Sequence, residues 1–154
     1  MLCVAICVSA FARADHLSRV GQDVNHGVLA AESLVERVKA GNTEDFGTYE
    51  PDEAFGTVFE NWRTKDPEAS AVYQSIKDGG EVRNYQILWD KEWNSYPDTK
   101  ELEKNGKKLA YVGMITTGVK DQMKEIAVVI FGYGTYGDQG YKIYHLFAEQ
   151  YVKP

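Results

Sequence analysis

Residues 109–133 read LAYVGMITTGVKDQMKEIAVVIFGY. Two runs rich in Val, Ile, Tyr and Phe flank a short polar step at Lys120–Met123, which is the pattern of an antiparallel hairpin. A turn centred on Asp121-Gln122 pairs Thr117 with Ile126 and Ile115 with Val128. Side chains alternate along a strand. One face then holds Tyr111, Ile115, Ile126, Val128 and Ile130, and the other holds Val112, Met114, Val129 and Phe131. Strands that are apolar on both sides must be covered on both sides.

Working outward, the stretch 81–152 supplies the partner strands. From Val82 to Trp93 the sequence alternates. Tyr85, Ile87, Trp89 and Trp93 fall on one face, and Asn84, Gln86, Asp90 and Glu92 on the other, with Leu88 as the exception. Residues 95–108 are polar. Asp98 could cap a short helix ending at Gly106, but a hairpin turn at Asn105-Gly106 or an extended loop is the preferred reading. Tyr141–Val152 forms the last strand. Tyr141, Ile143, His145 and Phe147 are assigned to one side, and Tyr144, Leu146 and Val152 to the other.

Upstream of the strands the periodicity is helical. Val20, Val24, Val28, Ala31, Val35 and Val38 recur at helical spacing, Leu34 widens the stripe, and Gly41-Asn42 ends it. Gly21 and Gly27 weaken this helix or mark a close packing contact. A second helix is expected from Pro51, with Phe55, Val58, Phe59 and Trp62 on one face. A third is capped by Asp66, opened by Pro67 and stopped by Gly79-Gly80, and it carries Ala69, Val72, Tyr73 and Ile76. The expected fold class is α+β, with N-terminal helices packed on a curved antiparallel β-sheet. A small β-barrel with appended helices is the alternative, although four or five strands are few for closure. The three helices are expected to cover one sheet face, leaving the second to a ligand, a cavity or another subunit.

The chain has 154 residues and a formal net charge of −6. That length suits one domain. The acidity disfavours nucleic acid and anionic lipid as partners, since binding to either rests on Lys and Arg. Met1–Ala14 reads MLCVAICVSAFARA. Its apolar run is too short to span a bilayer and right for a signal peptide, with cleavage expected after Ala12-Arg13-Ala14. Residues 15–154 would then be the single mature domain, secreted or periplasmic and free of membrane. Both cysteines, Cys3 and Cys7, fall in the leader, so the mature chain has no disulfide or thiol chemistry.

Chemical motifs are few. Gly132–Gly137 matches G-x-G-x-x-G letter for letter, but a strand follows where a dinucleotide site needs a helix. His16, His26 and His145 have no metal-ligand spacing, and neither metal nor cofactor is expected. His145 stands mid-strand among aromatics, where burial could tune it near neutral pH. Asp90 and Glu92 form a same-face carboxylate pair that an exposed strand explains equally well. The ligand-pocket candidates are His145, Trp89, Trp93, Tyr111, Tyr144 and Asp90.

Helices first, then a meander from Val82, Leu109, Ile126 and Tyr141 ending in Gly140-Tyr141-Lys142-Ile143-Tyr144-His145, resembles the cystatin-like α+β fold. Within that fold it is most similar to the nuclear transport factor 2-like superfamily. The resemblance implies a cone-shaped sheet whose mouth often holds a ligand, and frequent dimers through the sheet. It carries over no catalytic residue. The polar insert at 95–108 departs from it. The leading expectation is a binding module for a small apolar or aromatic ligand or a partner protein. The rivals are a homodimeric assembly protein and a small lyase, isomerase or hydrolase using His145 or Asp90 as base.

Overall fold

The computed structural model describes residues 22–48, 56–132 and 141–152. The expected leader at 1–14, the expected helix start at Pro51 and the expected glycine-tyrosine loop at 133–140 lie outside the described residues. In chain order the elements are α1 (22–39), β1 (Gly47–Thr48), α2 (Gly56–Lys65), α3 (Pro67–Asp78), β2 (Gly80–Trp89) and β3 (Ser95–Tyr96). Then come α4 (Thr99–Lys104), β4 (Tyr111–Lys120), β5 (Met123–Gly132) and β6 (Tyr141–Tyr151).

The sheet is antiparallel, curved and open, in the order β1-β2-β4-β5-β6, with β3 pairing the end of β2. The fold is therefore α+β with helices on a curved sheet, and not a closed barrel. The β4–β5 register pairs Thr117 with Ile126 and Ile115 with Val128, and a two-residue turn at Asp121-Gln122 closes it. Both turn residues have positive φ, 51° and 66°, the hand that matches strand twist.

The two apolar faces of β4 and β5 divide as the alternation predicts, and each has its own helical cover. Tyr111, Ile115, Ile126, Val128 and Ile130 pack with Ala31, Leu34, Val35 and Val38 of α1. Val112, Met114, Val129 and Phe131 pack with Phe59 of α2 and with Ala69, Tyr73 and Ile76 of α3. This corrects the expectation that the helices share one face and leave the other open. Helical periodicity shows that a helix has a buried side. It does not show which sheet face receives that side.

Local signals position the helices. Gly41 takes φ 79° past the end of α1, and the Arg37 and Val38 carbonyls accept from the Asn42 and Gly41 N–H groups, a Schellman stop. Gly27 is buried against Ile143 and Tyr144, so its missing side chain is what lets α1 lie on β6. Farther along, Gln150 donates to the Lys39 carbonyl, so α1 runs alongside β6 in the same direction. Val24, expected in the stripe, is exposed. The Asp66 carboxylate caps α3 by accepting from the Ala69 N–H at 3.0 Å, with Pro67 next.

Two strand details also depart from expectation. Asp98 caps a real helix, α4, and Gly106 takes φ 68° just beyond it, so the hairpin reading of Asn105-Gly106 does not hold. Leu102 explains the choice, because it anchors α4 by burial where a polar hairpin would bury nothing. In β6, Tyr144 pairs Ile130 while Lys142 pairs Phe131, so Ile143 is the extra residue of a bulge. Ile143 consequently joins Tyr144 and Leu146 on the α1 side, and His145 and Phe147 face α2 and α3.

Candidate functional site

One concavity lies on the α2–α3 side. Phe59, Tyr73 and Ile76 from the helices, with Val82 and Asn84 of β2 and Thr116 of β4, surround a cavity of about 300 Å³. Glu60, Arg63 and Lys77 stand on its rim. A smaller, more polar cavity of about 160 Å³ adjoins it, lined by Arg63, Thr64, Ser70, Tyr73, Gln74 and Lys77. Arg63, Tyr73 and Lys77 are common to both, so two cations stand where an apolar space meets a polar one.

The helices set this up by spacing. Phe59 and Arg63 are four residues apart on α2, as are Tyr73 and Lys77 on α3, and residues at that separation share a helix face. Phe59 meets Tyr73 edge-on at 5.2 Å between ring centroids. The Arg63 guanidinium lies 5.5 Å from the Phe59 ring centroid and also bonds the Glu60 carboxylate. Thr116 donates to the Asn84 side-chain carbonyl at 3.0 Å. An aromatic floor and two cations can hold an apolar body and an anionic head.

The sequence-predicted candidates are split among three places. Trp89, Trp93, Tyr111 and Tyr144 come together under α1. Trp93 stacks on Tyr111 at 3.9 Å and 11°, and His26 stacks on Trp93 at 5.4 Å and 19°. Asp23 of α1 accepts from the Tyr111 hydroxyl at 2.8 Å and the Tyr141 hydroxyl at 3.4 Å. Together these side chains form an aromatic layer under α1.

Asp90 is buried at the mouth of a tight turn after β2. It accepts from the Glu92 and Asn94 backbone N–H groups, the Asn94 amide and the Tyr96 hydroxyl, at 3.0 to 3.1 Å. Burial pushes its pKa up, but the bonds from Asn94, Tyr96 and Glu92 outweigh burial and hold the carboxyl below the usual range. Glu92 is exposed beyond it. The expected carboxylate pair is therefore one organising residue and one solvated residue.

His145 faces the opposite way from Tyr144, toward Trp62 at 5.3 Å and Phe147 at 5.0 Å. Burial lowers its pKa, and Lys142 adds to that against the weaker pull of Asp66 and Glu68. Lys142 Nζ stands 3.0 Å from His145 Nδ1, so the ring accepts at Nδ1 and carries its proton on Nε2. Neither His145 nor Asp90 lines either of the two cavities described above.

No protein family, curated protein or solved structure matches this chain. The site rests on its own geometry. Arg63, Lys77, Asn84 and Thr116 escaped the sequence reading because each reads as ordinary solvated or strand polarity. The usable signal was the repeated aromatic-then-cation spacing on two consecutive helices. Among the described residues there is no group of three or more His, Cys, Asp or Glu side chains placed to hold a metal ion.

Proposed function

We propose that this protein is a binding module for a small molecule with an apolar or aromatic body and an anionic head. The ligand would lie in the groove between α2, α3 and the β2–β4 strands. The observation that carries the reading is the position of Arg63 and Lys77 at the boundary of an apolar and a polar cavity, each one helical turn beyond an aromatic ring. Phe59, Tyr73 and Ile76 would take the apolar body. The cations would take the head, which suits a largely preformed site with few polar groups. Glu60 holds the Arg63 fork in place, so less side-chain freedom is lost on binding. The leader-like residues 1–14 favour an exported setting, and the order of helices before the meander favours a nuclear transport factor 2-like ancestry.

The test is titration with an anionic aromatic dye, 8-anilinonaphthalene-1-sulfonate, followed by alkyl and aryl carboxylates and their neutral amides. The R63A/K77A double variant should weaken binding of the anions at least about tenfold, the effect of losing about 1.4 kcal/mol. Equal affinity for acids and amides, or unchanged dye binding by the double variant, would end the proposal.

A further inference from the structure

At the far side of the sheet, β6 presents an open edge. It has eleven residues, and neither Pro nor Gly interrupts it. No described element pairs with its outer side. From Ile143 to Ala148 every residue is half-buried, whereas its neighbours Ile126 to Phe131 on β5 are all fully buried. Natural sheets guard long apolar edges with charges, bulges or covers; β6 has its bulge at Ile143 and its charges at Lys142 and Glu149, so the stretch between them, Tyr144–Ala148, is left as a template for another strand.

The charges along β6 say which strand fits. Lys142 lies toward its start and Glu149 toward its end. Both are on the α2–α3 side. Lys142 reaches His145 and stands 5.6 Å from the Trp62 ring centroid, while Glu149 sits opposite Glu125, which accepts from Ser75 of α3. Glu125 and Glu149 are direct cross-strand partners, an unfavourable like-charge pair. One oxygen of Glu125 is buried with no hydrogen-bond partner among the described residues. Beside this pair runs a groove of about 450 Å³, lined by Val72 and Ser75 of α3 and by Phe147 and Glu149 of β6. The edge is thus cationic at one end, anionic at the other, and short of a cation at the anionic end. An antiparallel copy of the same strand supplies that cation.

We propose that β6 pairs antiparallel with β6 of a second copy of this chain, about a two-fold axis at Leu146, setting Lys142 of each copy against Glu149 of the other. An axis through a residue keeps every side chain on its own face. It brings His145 opposite Phe147 and Tyr144 opposite Ala148. Because Ile143 is the extra residue of the bulge, Lys142 falls in the place facing Glu149. The interface is isologous, so each charge pair occurs twice. This pairing is independent of the α2–α3 groove, which opens at the other end of the sheet order, by β2.

Sedimentation of the full chain tests it. The wild type should be a dimer at concentrations on the order of 100 µM or below, and E149K and K142E should each weaken dimerisation at least about tenfold. An equimolar mixture of E149K and K142E should dimerise again, because the mixed pair places Lys against Glu at both contacts. That recovery also shows both variants to be folded. A monomeric wild type, variants that dimerise as well as the wild type, or a mixture that stays monomeric would each overturn the pairing.

Discussion

Replacing Asp90 probes whether it organises the chain or serves a ligand. Its carboxylate accepts four hydrogen bonds from residues 92–96, and Trp93 inside that turn holds φ 62°, a left-handed conformation that costs a non-glycine residue about 1–2 kcal/mol. Hydrogen bonds to charged groups contribute about 1.5–3 kcal/mol net when buried. Glu92 and Asn94 are exposed, so water recovers part of theirs once the acceptor is gone. About 1 kcal/mol for each of those three bonds and somewhat more for Tyr96, less the released Trp93 strain, leaves about 3 kcal/mol for Asp90→Ala. Asp90→Asn keeps the shape and should cost about half as much. In urea, with a slope near 2 kcal/mol per molar, the Ala variant should unfold at about 1.5 M lower denaturant. The near-UV circular dichroism of the Trp93–Tyr111 stack should fall with it.

The acid limb gives a second readout. The folded pKa of Asp90 lies below the unfolded value, so its stabilisation is present above about pH 3.9 and is lost as pH falls through the folded value. The difference between wild type and Asp90→Asn should therefore shrink in acid. An Ala variant within about 0.5 kcal/mol of wild type, with its near-UV spectrum intact, would refute the structural role and return Asp90 to the ligand candidates.

Two further substitutions test the sheet. A Cβ at Gly113 would stand 2.7 Å from Trp89 Cη2 and 3.1 Å from Ile87 Cγ2, both in a packed core, so Gly113→Ala should cost about 1–3 kcal/mol in thermal unfolding; a neutral result would mean that the indole does not lie across that strand. Asp121→Asn with Gln122→Gly should raise stability by about 0.5 kcal/mol, because both positions carry positive φ, and a loss in the same melt would contradict the turn.

Much of the fold was legible because β4 and β5 are long, strongly patterned strands. Their faces, register and turn follow from alternation alone. The Asp66-Pro67 start of α3 was equally plain, since capping chemistry is local. What escaped was anything set by more than one element. The assignment of α1 to one face and α2–α3 to the other depends on chain path, which no helix encodes in its own periodicity. A bulge at Ile143 reversed the sides of Tyr141 and Ile143 because one inserted residue shifts everything before it. The site candidates failed to converge for the same reason. Trp89, Trp93, Tyr111 and Tyr144 fill a core, Asp90 ties a turn, and His145 looks the other way. The groove cations were readable only as a repeated spacing, and only the sheet shows that the two spacings meet.

The twofold cover of β4 and β5 has a consequence for how this protein can change. Val128 and Val129 are adjacent in sequence, yet one belongs to the α1 compartment and the other to the α2–α3 compartment. The sheet acts as a partition one strand thick. Phe59, Tyr73 and Ile76 of the groove belong to one packed cluster and the Trp93 layer to the other, so substitutions in the two compartments should add in free energy rather than interact. The lining of the α2–α3 compartment can then drift through many sequences while the packing under α1 stays unchanged.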